Sequence, residues 1–298
     1  MTRPIRSAAL VVNARSRSGQ AQFEEVCGLL DRLPFPVDAH AVEDPDQLDD
    51  VLAGVLAKDP DLVILGGGDG TISGLVDQLV GKDLVLGVLP FGTANSFARS
   101  LGIPLDLPGA VDVLATGAPR RIDLGMIDDD YYANCAAMGL SPQIAQTVPH
   151  GLKRYFGRAG YLAWAAVQFA RFRPFTLIVE DEGKRYEMKV VEVRISNGPY
   201  HGGTELVDAA EIDSGQIVVQ AVKGHVKRRL VRNWAASILR LDARHDDVVD
   251  FTGKRLRIET RPPLPISIDG EVLARTPVTA RIAAGVIEVM APIQPAQT

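Results

Sequence analysis

The first 120 residues of the chain alternate short apolar runs with stretches whose apolar residues recur at helical spacing. Strands are predicted at Ala8–Val12, Val37–Val42, Leu62–Leu65 and Leu84–Leu89. The third of these is a run of four branched apolar residues, which is typical of a strand buried on both faces of a parallel sheet. After it, one face of a predicted helix carries Ile72, Leu75, Val76, Leu79 and Val80. This strand–helix order predicts an α/β domain with parallel strands and right-handed crossovers.

The pattern changes after Arg121, where many short strands and few helices are predicted. Two alternating runs, Phe175–Glu180 and Tyr186–Ser196, flank a turn with the sequence Asp-Glu-Gly-Lys, which indicates a hairpin. Further strands are predicted at Ile217–Val222, Val248–Phe251, Leu256–Thr260, Ile266–Ile268, Val278–Ile282 and Val286–Met290. Two helices interrupt them, at Gly157–Phe172 and around residues 230–241. The second domain is therefore predicted to be a mainly antiparallel β-sandwich, with the boundary near Leu124.

Composition narrows the class of protein without naming an activity. The chain has 298 residues, 46% of them apolar and 23% charged, as expected for a globular protein of two domains. A net charge of -5 gives no general basic footprint, so no nucleic-acid partner is predicted. Two distant cysteines, Cys27 and Cys135, indicate a reducing compartment rather than a zinc site or a disulfide scaffold.

No segment approaches the roughly 20 apolar residues that span a bilayer. The protein is therefore predicted to be cytoplasmic, and any membrane contact is expected to be transient and peripheral, at the inner face. The helix Gly157–Phe172 is flanked at both ends by basic residues, which are Lys153, Arg154, Arg158, Arg171 and Arg173. Such a helix suits either a lipid pocket with a basic rim or an ordinary core helix with solvated arginines.

A glycine-rich loop, Gly66–Thr71, joins the third predicted strand to the helix that follows it. Its members Gly67, Gly68 and Gly70 let the backbone turn sharply and approach a ligand, and Thr71 adds a hydroxyl donor. Free N–H groups between a strand and a helix favour an anion, so the loop is a candidate phosphate cradle. The alternative is a tight turn that binds nothing, but three consecutive glycines with Asp and Thr exceed what a turn needs.

Two other strands end in polar turns that belong to the same predicted sheet edge. The first strand runs into Asn13 and Arg15, and the fourth into Pro90–Asn95, which contains Thr93 and Asn95. Ligands bind at the carboxyl ends of strands in doubly wound sheets, so these turns are candidate nucleotide-binding elements. A solvated loop in the first case and Thr93 as a plain helix cap in the second remain alternatives.

Three segments together carry a resemblance to a known family. Gly67-Gly68-Asp69-Gly70-Thr71, Pro90-Phe91-Gly92-Thr93-Ala94-Asn95 and Asp269-Gly270-Glu271 resemble those of the soluble bacterial lipid kinases of the diacylglycerol kinase catalytic-domain family, relatives of sphingosine kinases. The first segment alone is less specific, because NAD kinases share it and phosphofructokinases have a related loop. The other two segments favour a lipid kinase.

The resemblance implies ATP-dependent transfer of a γ-phosphoryl group to a lipid hydroxyl, with Mg²⁺. It also implies an NAD kinase- and phosphofructokinase-like sheet in a nucleotide domain of residues 1–124, and a cleft between that domain and a β-sandwich of residues 125–288 on the lipid side. The last segment, residues 289–298, is expected to return to the first domain by the same analogy.

The family also implies roles for four acidic residues. Glu271 matches the proposed general base for the acceptor hydroxyl, although its local sequence alone indicates a solvated turn. Asp69 is grouped with it as catalytic, acting either through Mg²⁺ or by ordering its loop. Asp123 matches a water-bridged Mg²⁺ network and Asp213 a structural Mg²⁺ loop, with a strand-end turn as the alternative for Asp123. Asn134 and the loop Asn197–Gly203 match family positions, and the loop is interpreted as architectural.

Two departures from the family pattern leave the function open. Ser96 and Ser214 stand where the family usually has aspartate, which is consistent with altered specificity or with lost activity. The alternatives are therefore phosphorylation of a soluble acceptor, as in NAD kinases, or nucleotide binding without turnover. The sequence does not identify the acceptor lipid, and it leaves open whether the protein forms a homodimer.

Overall fold

A computed structural model describes residues 4–15, 17–147, 164, 167–168, 171–223, 248–269 and 271–293. The predicted helix around residues 230–241, most of the predicted helix Gly157–Phe172, and the basic residues Lys153, Arg154 and Arg158 lie outside these residues. None of the helices in the described ranges combines the length and the hydropathy needed to cross a bilayer.

Six α-helices and seventeen strands have defined bounds within the described residues, and residues 164, 167–168 and 171 are helical as well. The helices are α1 (Arg17–Cys27), α2 (Leu48–Leu56), α3 (Asp69–Leu75), α4 (Ser96–Ser100), α5 (Leu107–Thr116) and α6 (Leu140–Thr147). The strands of the first half are β1 (Ala8–Asn13), β2 (Val37–Val42), β3 (Leu62–Gly67), β4 (Val85–Pro90), β5 (Ala118–Ile127), β6 (Asp130–Tyr132), β7 (Cys135–Gly139) and β8 (Phe175–Asp181). Those of the second half are β9 (Lys184–Ser196), β10 (Tyr200–His201), β11 (Thr204–Glu205), β12 (Ile217–Lys223), β13 (Val248–Gly253), β14 (Arg255–Arg261), β15 (Pro265–Ile268), β16 (Glu271–Arg275) and β17 (Val278–Ala291).

The chain divides into two compact units. Within the described residues, the first unit comprises Met1–Cys135, Asn197–Gln216 and Ile282–Thr298, and the second comprises Ala136–Ser196 and Ile217–Arg281. This division differs from the predicted one at residue 124 in three places. Residues 125–135 and 197–216 belong to the first unit, and the returning segment begins at 282 rather than 289.

A parallel sheet organises the first unit. Strands β2, β1, β3 and β4 lie side by side in that order, all parallel, with Leu10 opposite Ile64 and Ile64 opposite Gly87. Every residue of β3 and β4 is buried, because helices cover both faces of such a sheet. The end of β17 adds a further parallel strand beside β4, with Glu288 opposite Val85.

Two other pairings explain why the first unit contains more than residues 1–124. Strand β5 continues into β6 through a hairpin in which Gly125 lies opposite Tyr132, so the chain stays in this unit beyond the predicted boundary. Residues 197–216 return to it, because the Asn197 N–H donates to the Asn134 carbonyl oxygen at 2.8 Å.

The second unit is antiparallel throughout its described strand pairs. In the β8–β9 hairpin, Asp181 lies opposite Lys184, and the two turn residues Glu182 and Gly183 have φ of 44° and 83°. Positive φ at both positions is the mark of a type I′ turn, so the predicted hairpin is confirmed. The predicted fold class, a parallel α/β part and an antiparallel β part, is likewise confirmed.

One predicted pair of strands is a single strand. The sequence predicts separate strands at Val278–Ile282 and Val286–Met290, whereas β17 runs without a break from Val278 to Ala291. The gap between the two predicted strands contains Gly285, which lies within β17 and has a φ of 60°.

Candidate active site

The glycine-rich loop at the end of β3 has room only for glycine at position 67. Strand β3 ends at Gly67, Gly68 links it to α3, and α3 begins at Asp69. A Cβ atom at Gly67 would lie 2.6 Å from the Thr71 Cβ, which no real side chain tolerates. The close fold of Thr71 over Gly67 therefore depends on the absence of a side chain.

The loop after β4 lies directly against this glycine loop. The Phe91 N–H donates to the Gly67 carbonyl oxygen at 3.0 Å. A Cβ atom at Gly92 would lie 2.6 Å from the Gly68 Cα, so the two loops touch backbone to backbone. The sequence prediction that these two turns meet at one sheet edge agrees with this geometry.

Asp69 connects the two loops with its side chain. Its Oδ1 accepts a hydrogen bond from the Phe97 N–H at 2.9 Å, near the start of α4. Of the two roles predicted for Asp69, ordering the loop is the one that this contact supports.

Asn95 shapes its own loop with its whole amide group. Its Oδ1 accepts from the Gly92 N–H at 2.8 Å, and its Nδ2 donates to the carbonyl oxygens of Pro90 and Gly92 at 3.2 and 2.7 Å. The side chain is buried, and the residue adopts a left-handed φ of 48°. Asn95 belongs to a turn that is predicted to bind the nucleotide, but its amide is engaged within the loop.

Thr93 is exposed in the same loop. The alternative that it caps the next helix does not hold, since α4 begins at Ser96 with Asn95 at the N-cap position.

Asn13 joins the end of β1 to the glycine loop. Its Nδ2 donates to Thr71 Oγ1 at 3.2 Å, and its Oδ1 accepts from the Arg15 N–H at 3.3 Å. The turns after β1, β3 and β4 are thus brought together as the sequence predicts.

An acidic segment beside Arg15 escaped the sequence analysis. Arg15 lines a surface cavity of about 380 Å³ together with Glu43, Asp44, Pro45 and Asp46. These residues follow β2 directly, so the general rule that carboxyl ends of parallel strands share one edge would have found them.

Ser96 has a defined structural role at the position where the family usually carries aspartate. The residue is buried, and its Oγ accepts from the Gly203 N–H at 3.0 Å. A serine hydroxyl therefore supplies the acceptor that ties the loop Asn197–Gly203 to α4.

Two buried asparagines complete this frame. Asn197 Nδ2 donates to the carbonyl oxygens of Asp123 and Ala133 at 2.8 and 3.0 Å. Asn134 Nδ2 donates to the Tyr200 carbonyl oxygen at 2.5 Å, and its Oδ1 accepts from Ser100 Oγ at 3.1 Å. These contacts agree with the architectural interpretation of the loop.

The two residues predicted as metal ligands have other partners. Both carboxylate oxygens of Asp123 accept backbone N–H groups, from Gly285 at 2.7 Å and Gly215 at 2.6 Å. Asp213 Oδ2 accepts from Arg120 Nε and Nη2 at 2.9 and 2.5 Å. Among the described residues, no cluster of three or more His, Cys, Asp and Glu side chains is suited to a metal ion. This donor set does not fit the predicted Mg²⁺ site, and that prediction is revised.

Glu271 belongs to the second unit. It is the first residue of β16, an exposed position on an edge strand, and lies opposite Ile268 in the hairpin with β15. The local sequence therefore does form a turn, as its alternative interpretation predicted, and Asp269 has a left-handed φ of 43° there.

Comparison with known protein families identifies the class of protein. A family model described as the diacylglycerol kinase catalytic domain matches residues 7–127. A second, described as the YegS C-terminal NAD kinase beta sandwich-like domain, matches residues 135–291. The chain belongs to the diacylglycerol kinase family. Its resemblance to that family and its predicted β-sandwich are thereby confirmed.

Relatives of this diacylglycerol kinase family member carry matching names. The chain is 30% identical over 214 residues to a probable YegS-like lipid kinase of Chromohalobacter salexigens, covering 70% of this chain and 69% of that one. It is 30% identical over 216 residues to a diacylglycerol kinase of Bacillus subtilis, covering 71% of each. A crystal structure of a diacylglycerol kinase from Bacillus anthracis superposes with a TM-score of 0.74 at 19% identity, covering 99% and 100% of the two chains, which shows the shared fold.

Proposed function

We propose that the protein is an ATP-dependent lipid kinase that transfers the γ-phosphoryl group to the hydroxyl of a diacylglycerol-like acceptor. The observation that carries the proposal is the pair of glycine loops after β3 and β4, which touch backbone to backbone in a member of this family. A kinase of this kind needs positioning and charge neutralisation more than covalent chemistry by the protein.

The donor side is assigned to the loops of the first unit. The amides of Gly67–Thr71 are proposed to donate to the phosphate oxygens of ATP, with the exposed Thr93 hydroxyl and the Arg15 guanidinium as further donors. The fit rests on Gly67 and Gly92, where an added Cβ atom would collide with Thr71 and Gly68 and displace the loops. Mg²⁺ enters with the nucleotide in this proposal, and its contribution is to offset the charge of the phosphates.

The acceptor side is assigned to Glu271. Its carboxylate is proposed to take the proton of the acceptor hydroxyl while the hydroxyl oxygen bonds to the γ-phosphorus. The bond from the γ-phosphorus to the bridging oxygen then breaks, and ADP leaves with that electron pair. The family resemblance motivates this role, and the exposure of Glu271 makes the carboxylate accessible to a substrate.

An apolar acceptor is supported by the residues that follow Glu271. Val272 and Leu273 are 47% and 59% exposed on the edge strand β16. Leu273 is the extra residue of a β-bulge in β16, between the Ser267–Val272 and Ile266–Ala274 pairs. We propose that these two apolar side chains meet the acyl part of the acceptor during a transient membrane contact.

Replacing Leu273 with serine is expected to raise the apparent KM for vesicle-borne diacylglycerol about 3- to 10-fold, because part of the apolar contact with lipid is lost. The kcat at saturating lipid and the KM for ATP should not change. The matched control is Leu105→Ser, an exposed leucine of the first unit. Equal KM values for the two variants would show that β16 does not contact the lipid.

The proposed function is tested by incubating the protein with ATP and Mg²⁺ and either diacylglycerol in mixed micelles or NAD. Phosphorylated lipid without phosphorylated NAD is the expected result. Transfer to NAD alone would replace the proposal by the NAD kinase-like alternative. ATP binding with no transfer to any lipid of a broad panel would instead indicate a nucleotide-binding regulatory protein.

A further inference from the structure

The beginning of β5 is tied to a distant loop by a cationic side chain. Arg120 directs Nε and Nη2 at the same oxygen of Asp213, at 2.9 and 2.5 Å. Both side chains are only partly exposed, 28% for Arg120 and 38% for Asp213. A guanidinium that directs two donors at one carboxylate oxygen supplies both charge and geometry at that position.

Asp123 lies three residues after Arg120 in β5, and its buried carboxylate contacts both the same loop and β17. Its two oxygens each accept a backbone N–H, from Gly215 of the loop and Gly285 of β17. The Asp123 N–H also donates to the Ile212 carbonyl oxygen at 2.9 Å. Asp123 is 3% exposed, and each of its carboxylate oxygens already accepts a hydrogen bond from a backbone N–H.

Ser214, which stands where the family usually has aspartate, is engaged inside its own loop. Its hydroxyl lies 3.1 Å from the Glu211 carbonyl oxygen and 3.4 Å from that of Gln216. A divalent cation such as Mg²⁺ needs several oxygen ligands at about 2.0–2.1 Å in near-octahedral order. At this loop, the carboxylates of Asp123 and Asp213 accept from nitrogen donors, and the Ser214 hydroxyl donates to backbone carbonyl oxygens.

We infer that in this chain the Arg120 guanidinium and the backbone amides around Asp123 take the place of a structural divalent cation. They hold residues 211–216 and the Gly285 region of β17 on β5 without metal. This inference concerns the stability of the first unit and is independent of the acceptor that the enzyme uses.

Thermal unfolding of the full chain without nucleotide tests the inference. The wild-type midpoint is expected to agree within about 1 °C between EDTA and about 10 mM Mg²⁺, because a ligand that does not bind cannot stabilise the native state. If the protein had a structural Mg²⁺ site, a free Mg²⁺ concentration of about 100 times its dissociation constant would raise the midpoint by several degrees. Such a rise, or calorimetric binding of one Mg²⁺ per nucleotide-free chain, would overturn the inference.

Variants of two neighbouring arginines locate the effect. Arg120→Ala should lower the midpoint in EDTA by a few degrees, and Mg²⁺ or Ca²⁺ should restore part of the loss at the vacated Asp213 carboxylate. Arg120→Lys should keep most of the stability. The control is Arg121→Ala, which removes a surface pair with Glu288 and a hydrogen bond to the Gly285 carbonyl oxygen but vacates neither Asp123 nor Asp213, and which should show no response to divalent cations. An equal response of the Arg120→Ala and Arg121→Ala variants to EDTA and Mg²⁺ would contradict the role given to Arg120.

Discussion

Replacing Glu271 with glutamine is expected to lower the rate of phosphoryl transfer about 10²- to 10⁴-fold, the range that a general base contributes. The amide keeps the size of the side chain but does not take a proton from the acceptor hydroxyl. ATP affinity should change less than about twofold, because the donor loops belong to residues of the first unit and are untouched. The measurements are kcat with diacylglycerol in mixed micelles and the dissociation constant of ATP by calorimetry.

The control for this substitution is Glu187→Gln, which makes the same change at an exposed position of β9 in the same unit. It should leave kcat and ATP affinity unaltered. If Glu271→Gln weakened ATP binding as much as it lowered kcat, the residue would not be the base. A wild-type rate in the glutamine variant would lead to the same conclusion.

The second large effect is expected from Gly92→Ala. The new Cβ would lie 2.6 Å from the Gly68 Cα and 2.7 Å from the Asn95 Oδ1, so backbone has to move on one side or the other. Overpacking of this kind costs about 1–3 kcal/mol of stability. Because the two glycine loops are displaced together, ATP affinity and kcat should both fall at least about 10-fold.

Gly74→Ala is the matched control for this second prediction. Gly74 lies in α3, and an added Cβ meets nothing within 4 Å. Alanine at this position should stabilise the helix by up to about 1 kcal/mol and leave ATP affinity unchanged. If the Gly92→Ala variant bound ATP like the Gly74→Ala variant, the contact between the loops would not matter for the nucleotide.

The elements that the sequence predicted well are those with local signals. The buried run at Leu62–Leu65 and the two-residue turn before Lys184 each carry their structure in adjacent residues, through apolar continuity and positive φ. The division into units was harder to predict, because it depends on pairings such as that of β17 with β4. The pattern of apolar residues within one segment does not indicate which distant strand that segment pairs with.

The roles of the polar site residues depended on contacts between distant parts of the chain. Asp123 is separated from its donors Gly215 and Gly285 by 92 and 162 residues, so family resemblance suggested a metal where the fold supplies N–H groups. Ser96 is a similar case, since its acceptor role requires Gly203, 107 residues away. Asn95 is a different case, because all its hydrogen-bond partners lie within five residues of it. Its left-handed backbone conformation, which accompanies these contacts, was not predicted.

A crystal structure of the protein with ADP and Mg²⁺ would test most directly whether the turns after β1, β3 and β4 form one nucleotide site. We expect the phosphate oxygens to accept hydrogen bonds from the amides of Gly67–Thr71, with the loop containing Gly92 and Thr93 in contact with the same phosphates. Phosphates bound away from these loops would contradict it.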